Sequence, residues 1–236
     1  RVYSELFELY PNATVCSSWD VIDSDGLKIG YTGPNSSLWT LNDRDAELSA
    51  KVGCDVYRIK SDQLLKRCLL RMATPFNFCT VAYSREAYTK VDGYGATRLI
   101  NPDKWYHWKL LSVVPEAIFV DKPLFQYRWH NQNQTAQQLN SGHLKYLVDE
   151  YRSTIELSSS MLQAAQLHQK DVYKAFVHHD ICRHALGEFS RNRWLKSLRI
   201  FFWGLATYPG YVIKNPWSWL TMLSLLSGPP GSFIIS

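Results

Sequence analysis

Residues 101–133 constrain the fold more than any other part of the chain. Asn101-Pro102-Asp103 is a helix start: asparagine suits the cap, proline the first helical position, whose N–H needs no partner, and aspartate the positive end of the helix dipole. The spacing predicts a helix through Trp105, Trp108, Leu111 and Ser112. A buried strand at Ala117-Ile118-Phe119-Val120 follows, bounded by Pro115 and Pro123. Residues 125–130 then alternate in the strand manner, with Phe125, Tyr127 and Trp129 on one face and Gln126, Arg128 and His130 on the other. This order brings a carboxylate and an imidazole to one rim of a sheet. Arg128 and His130, pointing the same way, suit contact with a diphosphate and its metal ion.

Upstream, a helix is expected at residues 2–9, a short strand at 13–18, and a hairpin at 19–30 that turns on Asp23-Ser24-Asp25-Gly26. Asp23-Ser24-Asp25 has the form of an Asp-x-Asp metal motif, but the Asp-Gly step and the returning Leu27-Lys28-Ile29 favour a plain turn. Residues 31–45 read as a polar surface loop. Residues 46–71 read as mostly helical, with an apolar stripe of Leu64, Leu65, Cys68, Leu69 and Met72, and residues 72–82 as a strand entering the site. Gly93-Tyr94-Gly95 permits a tight turn before the acidic helix.

The succession Tyr83-Ser84-Arg85-Glu86-Ala87-Tyr88, Val91-Asp92-Gly93-Tyr94, Asp103-Lys104-Trp105-Tyr106-His107-Trp108 and Tyr127-Arg128-Trp129-His130 resembles the second half of the family 2 glycosyltransferases, inverting enzymes of the GT-A fold. The likeness covers residues 6–135. It implies an α/β fold: the C-terminal portion of a GT-A mixed sheet with flanking helices, followed by an α-helical tail. It also implies transfer of a sugar from a nucleotide-diphosphate sugar to a glycan or lipid-linked acceptor, in cell-envelope polysaccharide synthesis. Asp103 matches the general base of that family and His130 its late metal or phosphate contact. Asn77 and Phe78 fall where similar transferases contact substrate; Tyr94 and Arg98 are expected to line the acceptor entrance, Trp105 to stack on an acceptor ring, and Arg128 to hold the diphosphate. The chain departs from the pattern at Pro102, where the family usually has glutamate. The family's divalent cation, Mg²⁺ or Mn²⁺, takes its main ligands from an Asp-x-Asp ahead of the first helix, so they are expected upstream of Arg1. The chain does not begin with methionine, and we read it as a piece of a longer protein.

Residues 135–142 are amide-rich and mark a boundary. The expected division is a transferase part at 1–135, a helical extension at 136–190 and a basic, aromatic helical tail at 191–236. His178-His179-Asp180 with Cys182 and His184 resembles a metal cluster in composition, but its spacing suits ordinary helix surface better. From Ser141 onward the chain has ten Lys or Arg against six Asp or Glu, so most of the net charge of +5 lies there. Cations beside tryptophan suit an anionic membrane face; a helical cap on the catalytic part is the alternative. A nucleic-acid polymer is not expected, because no stacking strand or groove-reading helix accompanies the basic stretch. Five cysteines without paired spacing favour reduced thiols. No apolar run reaches the roughly 18 residues of a spanning helix, and a cytoplasmic protein, peripheral on the membrane, is expected. The competing class is a non-catalytic module that binds carbohydrate or docks on membrane.

Overall fold

The structure, a computed structural model, describes residues 1–94, 102–130, 133 and 143–227. It is mixed α/β and divides into two compact units. The first comprises Arg1–Cys68, Ala73–Gln137 and Ser158–Gln166; the second comprises Leu69–Met72, Gln138–Leu157 and Leu167–Ser236.

In the first unit a four-stranded mixed sheet has the order β2-β1-β4-β3, with β1 at Thr14–Ile22, β2 at Lys28–Thr32, β3 at Val56–Lys60 and β4 at Glu116–Arg128. The two central strands, β1 and β4, run parallel, and both outer pairings are antiparallel. Side chains alternate across β4. Ile118 and Val120 join Val15 and Val56 in a core closed by Leu6 of α1 (Val2–Leu9) and Leu48 of α2 (Ala46–Val52). Phe119, on the opposite face, packs on Trp39, which in turn packs on Phe76. Helix α3 (Ser61–Arg71), as far as Cys68, with α4 (Arg85–Lys90) and α5 (Pro102–Leu111), belongs to the same unit.

Three expectations are corrected. Residues 46–71 form two helices with β3 between them. Gly53, at φ 74°, ends α2 in the left-handed conformation and returns its N–H to the Ser49 carbonyl, which frees Val56, Tyr57 and Ile59 to pair with β4. Residues 72–82 form a turn-rich loop whose link to the sheet is an isolated bridge between Val15 and Ala82. There the Asn77 side chain accepts the Cys79 N–H and the Asn77 carbonyl accepts that of Thr80, an Asx turn that a strand cannot contain. Pro123 does not close a strand. The register with β1 jumps from Ser17↔Val120 to Trp19↔Phe125, so Pro123 falls in a bulge where no ladder N–H is needed.

The second unit is helical: α6 (His143–Ile155), α8 (Gln169–Phe176), a π-helical stretch (Val177–Cys182), α9 (Arg183–Ser190), α10 (Trp194–Thr207), α11 (Pro209–Lys214) and α12 (Pro216–Leu226). The short α7 (Ser159–Ala164) belongs to the first unit. Among the described residues no helix is long and apolar enough to cross a membrane, and all five cysteines are free.

Candidate functional site

The site is built from the loop after Thr74 and from α4 and α5. Ser84 caps α4 by accepting the Ala87 N–H. After α4 the chain reverses through two left-handed residues, Asp92 at φ 56° and Gly93 at φ 62°. Gly93 holds its left-handed conformation without strain, and a Cβ there would meet the Tyr88 hydroxyl at 2.8 Å, so that ring would have to shift. The reversal lays Tyr94 against Phe78 and Tyr106, with ring centroids 5.2 and 5.1 Å away, and Tyr106 meets Tyr83 at 5.7 Å. These four rings make an aromatic cluster, exposed at Phe78, half-buried at Tyr83 and Tyr94, and closed beneath by the fully buried Tyr106. The Tyr94 hydroxyl is pushed up to about 12, first by burial and then by the negative charge of Asp103. Burial likewise pushes the Tyr106 hydroxyl well above its ordinary value.

Asp103 lies half-buried in the first turn of α5, at the positive end of the helix. The body of that helix is enclosed. Tyr106, His107, Trp108, Leu110 and Leu111 are all buried, and the Trp108 indole N–H donates to the Ala73 carbonyl at 3.0 Å. His107 sits at i+4 from Asp103, where a hydrogen bond to the carboxylate is one expectation. Instead its Nδ1 lies 2.9 Å from the Thr74 hydroxyl and its ring meets the edge of Phe76. Burial lowers its pKa to about 3, so it is a neutral core imidazole. Trp105 is half-buried, and the Lys109 ammonium stands 4.7 Å over its ring, which already covers one face of the indole.

The remaining expected residues are placed as follows. Asn77 uses its side-chain oxygen in the Asx turn, and Phe78 stands exposed on the aromatic cluster. Arg128, at the end of β4, donates through Nη1 to the carbonyls of Asp23 and Ser24 at 3.0 and 2.7 Å, and so clasps the β1–β2 turn. Asp23 accepts the N–H groups of Asp25 and Leu27 in that turn, as a turn aspartate does. His130 follows β4 and is exposed. Arg98 lies outside the described residues. The structure thus brings Tyr94 and Phe78 together, and sets Asp103 and Trp105 near the start of α5, the helix that carries Tyr106. Among the described residues no group of three or more His, Cys, Asp or Glu side chains is placed to hold a metal ion.

Sequence reasoning missed Tyr83 and Tyr106 as parts of the cluster, because three separate segments supply its rings. It also missed a polar node on the sheet, where Asp121 accepts the Ser18 hydroxyl at 2.6 Å and that of Tyr31. Burial, then Asp121, pushes the Tyr31 phenol up to about 12. This node bridges β1, β2 and β4 where the register jumps.

No family model matches the chain, and neither the curated proteins nor the solved structures give a match.

Proposed function

We propose that this chain is the acceptor-side portion of a GT-A inverting glycosyltransferase, moving a sugar from a nucleotide-diphosphate donor to a glycan or lipid-linked acceptor at the cytoplasmic face of a membrane. What supports the reading is a half-buried carboxylate, Asp103, in the first turn of the same helix that carries Tyr106, whose ring meets Tyr94, itself in contact with Phe78. A sugar ring has apolar C–H faces and polar edges. Aromatic rings take the face, and a carboxylate at their margin takes a hydroxyl.

In the transfer, the acceptor oxygen forms a bond to the anomeric carbon and its proton passes to Asp103. The bond to the donor diphosphate breaks, and the electron pair leaves with the diphosphate. A general base in this position contributes about 10²- to 10⁴-fold. Tyr94, held protonated at neutral pH, serves as a hydrogen-bond donor at the same margin. A divalent cation, as the resemblance implies, would neutralise the departing diphosphate.

The test is transfer and donor hydrolysis by the full-length protein with a panel of nucleotide sugars, with and without Mn²⁺ or Mg²⁺, beside Asp103→Asn. Turnover by the parent that falls at least about a hundredfold in the variant, with its melting temperature kept, supports the base assignment. Undiminished transfer by Asp103→Asn removes it. A folded protein inactive on every donor favours a carbohydrate-binding module built on the same rings.

A further inference from the structure

Helix α12 is inside out. Its inward stripe is Ser218, Thr221 and Leu225, at i, i+3 and i+7, and two of these three are polar. Ser218 Oγ lies 3.0 Å from Cys182 Sγ, and the Thr221 hydroxyl donates to the carbonyls of Trp217 at 2.7 Å and Cys182 at 3.4 Å. The outward stripe, at i, i+4 and i+7, is Trp219, Leu223 and Leu226, exposed by 52, 62 and 75 %, with Trp217 and Leu220 beside it. A helix on a water-facing surface carries the opposite arrangement. The patch continues into α11 through exposed Ile213, whose carbonyl accepts the Trp219 indole N–H at 3.1 Å.

Charge identifies what covers this face. From Phe189 to the end the sequence has no Asp or Glu and five cations: Arg191, Arg193, Lys196, Arg199 and Lys214. Arg191 and Arg193 pair with the buried Glu188, whereas Arg199 and Lys214 are exposed. A second copy would set the same cations against one another. An anionic surface complements them. At 11 residues the helix is roughly 16 Å long, about half the hydrocarbon thickness of a bilayer, so it cannot span one. It has the composition of a helix that lies in the interface, with tryptophan at headgroup depth and leucine below.

We propose that α12, entered from α11, is an interfacial helix that seats this protein on bilayers containing anionic phospholipid. The Trp219–Leu223–Leu226 stripe enters the acyl boundary, and Lys214, exposed next to Ile213 of the patch, meets the headgroup phosphates. This assignment does not depend on the transferase reading. It turns the composition-level expectation of an anionic membrane surface into one face of one helix.

The test is co-sedimentation of the full chain with phosphatidylcholine vesicles made with and without phosphatidylglycerol, at low salt and at about 0.5 M salt. Binding is expected to be at least about tenfold tighter with the anionic lipid. Leu223→Glu should weaken it about tenfold or more with an unchanged melting temperature. Lys214→Gln should weaken it roughly fivefold at low salt and much less at high salt. Leu223→Gln, milder and uncharged, guards against a folding artefact and should fall between the parent and Leu223→Glu. The proposal is overturned if the parent ignores anionic vesicles or if Leu223→Glu binds as the parent does. A concentration-dependent dimer that Leu223→Glu dissolves, in a chain that does not bind vesicles, would assign the face to a second copy instead.

Discussion

Helices α5 and α12 begin alike and end in opposite environments. Each follows an asparagine, opens on proline and carries two tryptophans near its start: Asn101-Pro102 before Trp105 and Trp108, Asn215-Pro216 before Trp217 and Trp219. In α5 the aromatic and aliphatic residues are buried and the carboxylate near its start is half open to water. In α12 two hydroxyls are buried and the aromatic and aliphatic residues are exposed. The same local grammar therefore sets where a helix starts and leaves open what it buries. The neighbours decide that. Thr74, Phe76 and Ala73 enclose α5, whereas Ser218 and Thr221 on the inner stripe of α12 meet the thiol and carbonyl of Cys182. An enclosed helix holds a side chain at its start in one place, as a base must be held. A half-clad one keeps its apolar face for another phase.

The comparison is broken most directly by Trp108→Ala. Trp108 is fully buried and its indole is hydrogen-bonded, so the variant should lose about 3–5 kcal/mol in denaturant unfolding. A loss under about 1 kcal/mol would mean that α5 is not enclosed. Next comes acid. The folded pKa of His107, about 3, lies below its ordinary 6.5, so the unfolded chain takes up the proton first as pH falls. Its contribution to stability is full above pH 6.5 and is lost between 6.5 and 3 at about 1.4 kcal/mol per pH unit. His107→Gln should flatten that limb of the stability–pH curve; an unchanged slope would assign it to other groups. Thr221→Val keeps the shape of the inner stripe of α12 but removes its hydroxyl. A cost of about 1 kcal/mol in thermal unfolding is expected, and a gain in stability would show that the stripe prefers to be apolar. Smallest is Leu223→Ser on the outer stripe, expected within about 0.5 kcal/mol of the parent. A cost like that of a core leucine would mean that the face is covered within the chain.

Much of the chain punctuates itself. The helix at Val2–Leu9, the turn on Asp23, the start at Pro102 and the body of β4 are readable because each rests on local chemistry: a proline, an Asx turn or an apolar run. What escaped is set by distant partners. β3 hides between two helical stripes and exists because β4 offers it a ladder. The run after Met72 has the apolar content of a strand, yet Asn77 diverts its backbone into a turn. Of the site, Asp103 was legible as a carboxylate at a helix start. The aromatic cluster was not, because Phe78, Tyr83, Tyr94 and Tyr106 meet only after Gly93 turns the chain back.

The parallel pairing at the centre of the sheet also sets a timetable. The Ser18–Asp121 bond spans 103 residues, and neither β1 nor the Leu6 helix that packs behind it can reach its final place before β4 has been made. At ribosomal speeds of about 5–20 residues per second, that delay is roughly 5–20 seconds. During it Val15 and Cys16, both wholly enclosed in the finished protein, must wait in the open. This nascent chain is expected to need a holding chaperone most between the emergence of Ile22 and that of Arg128.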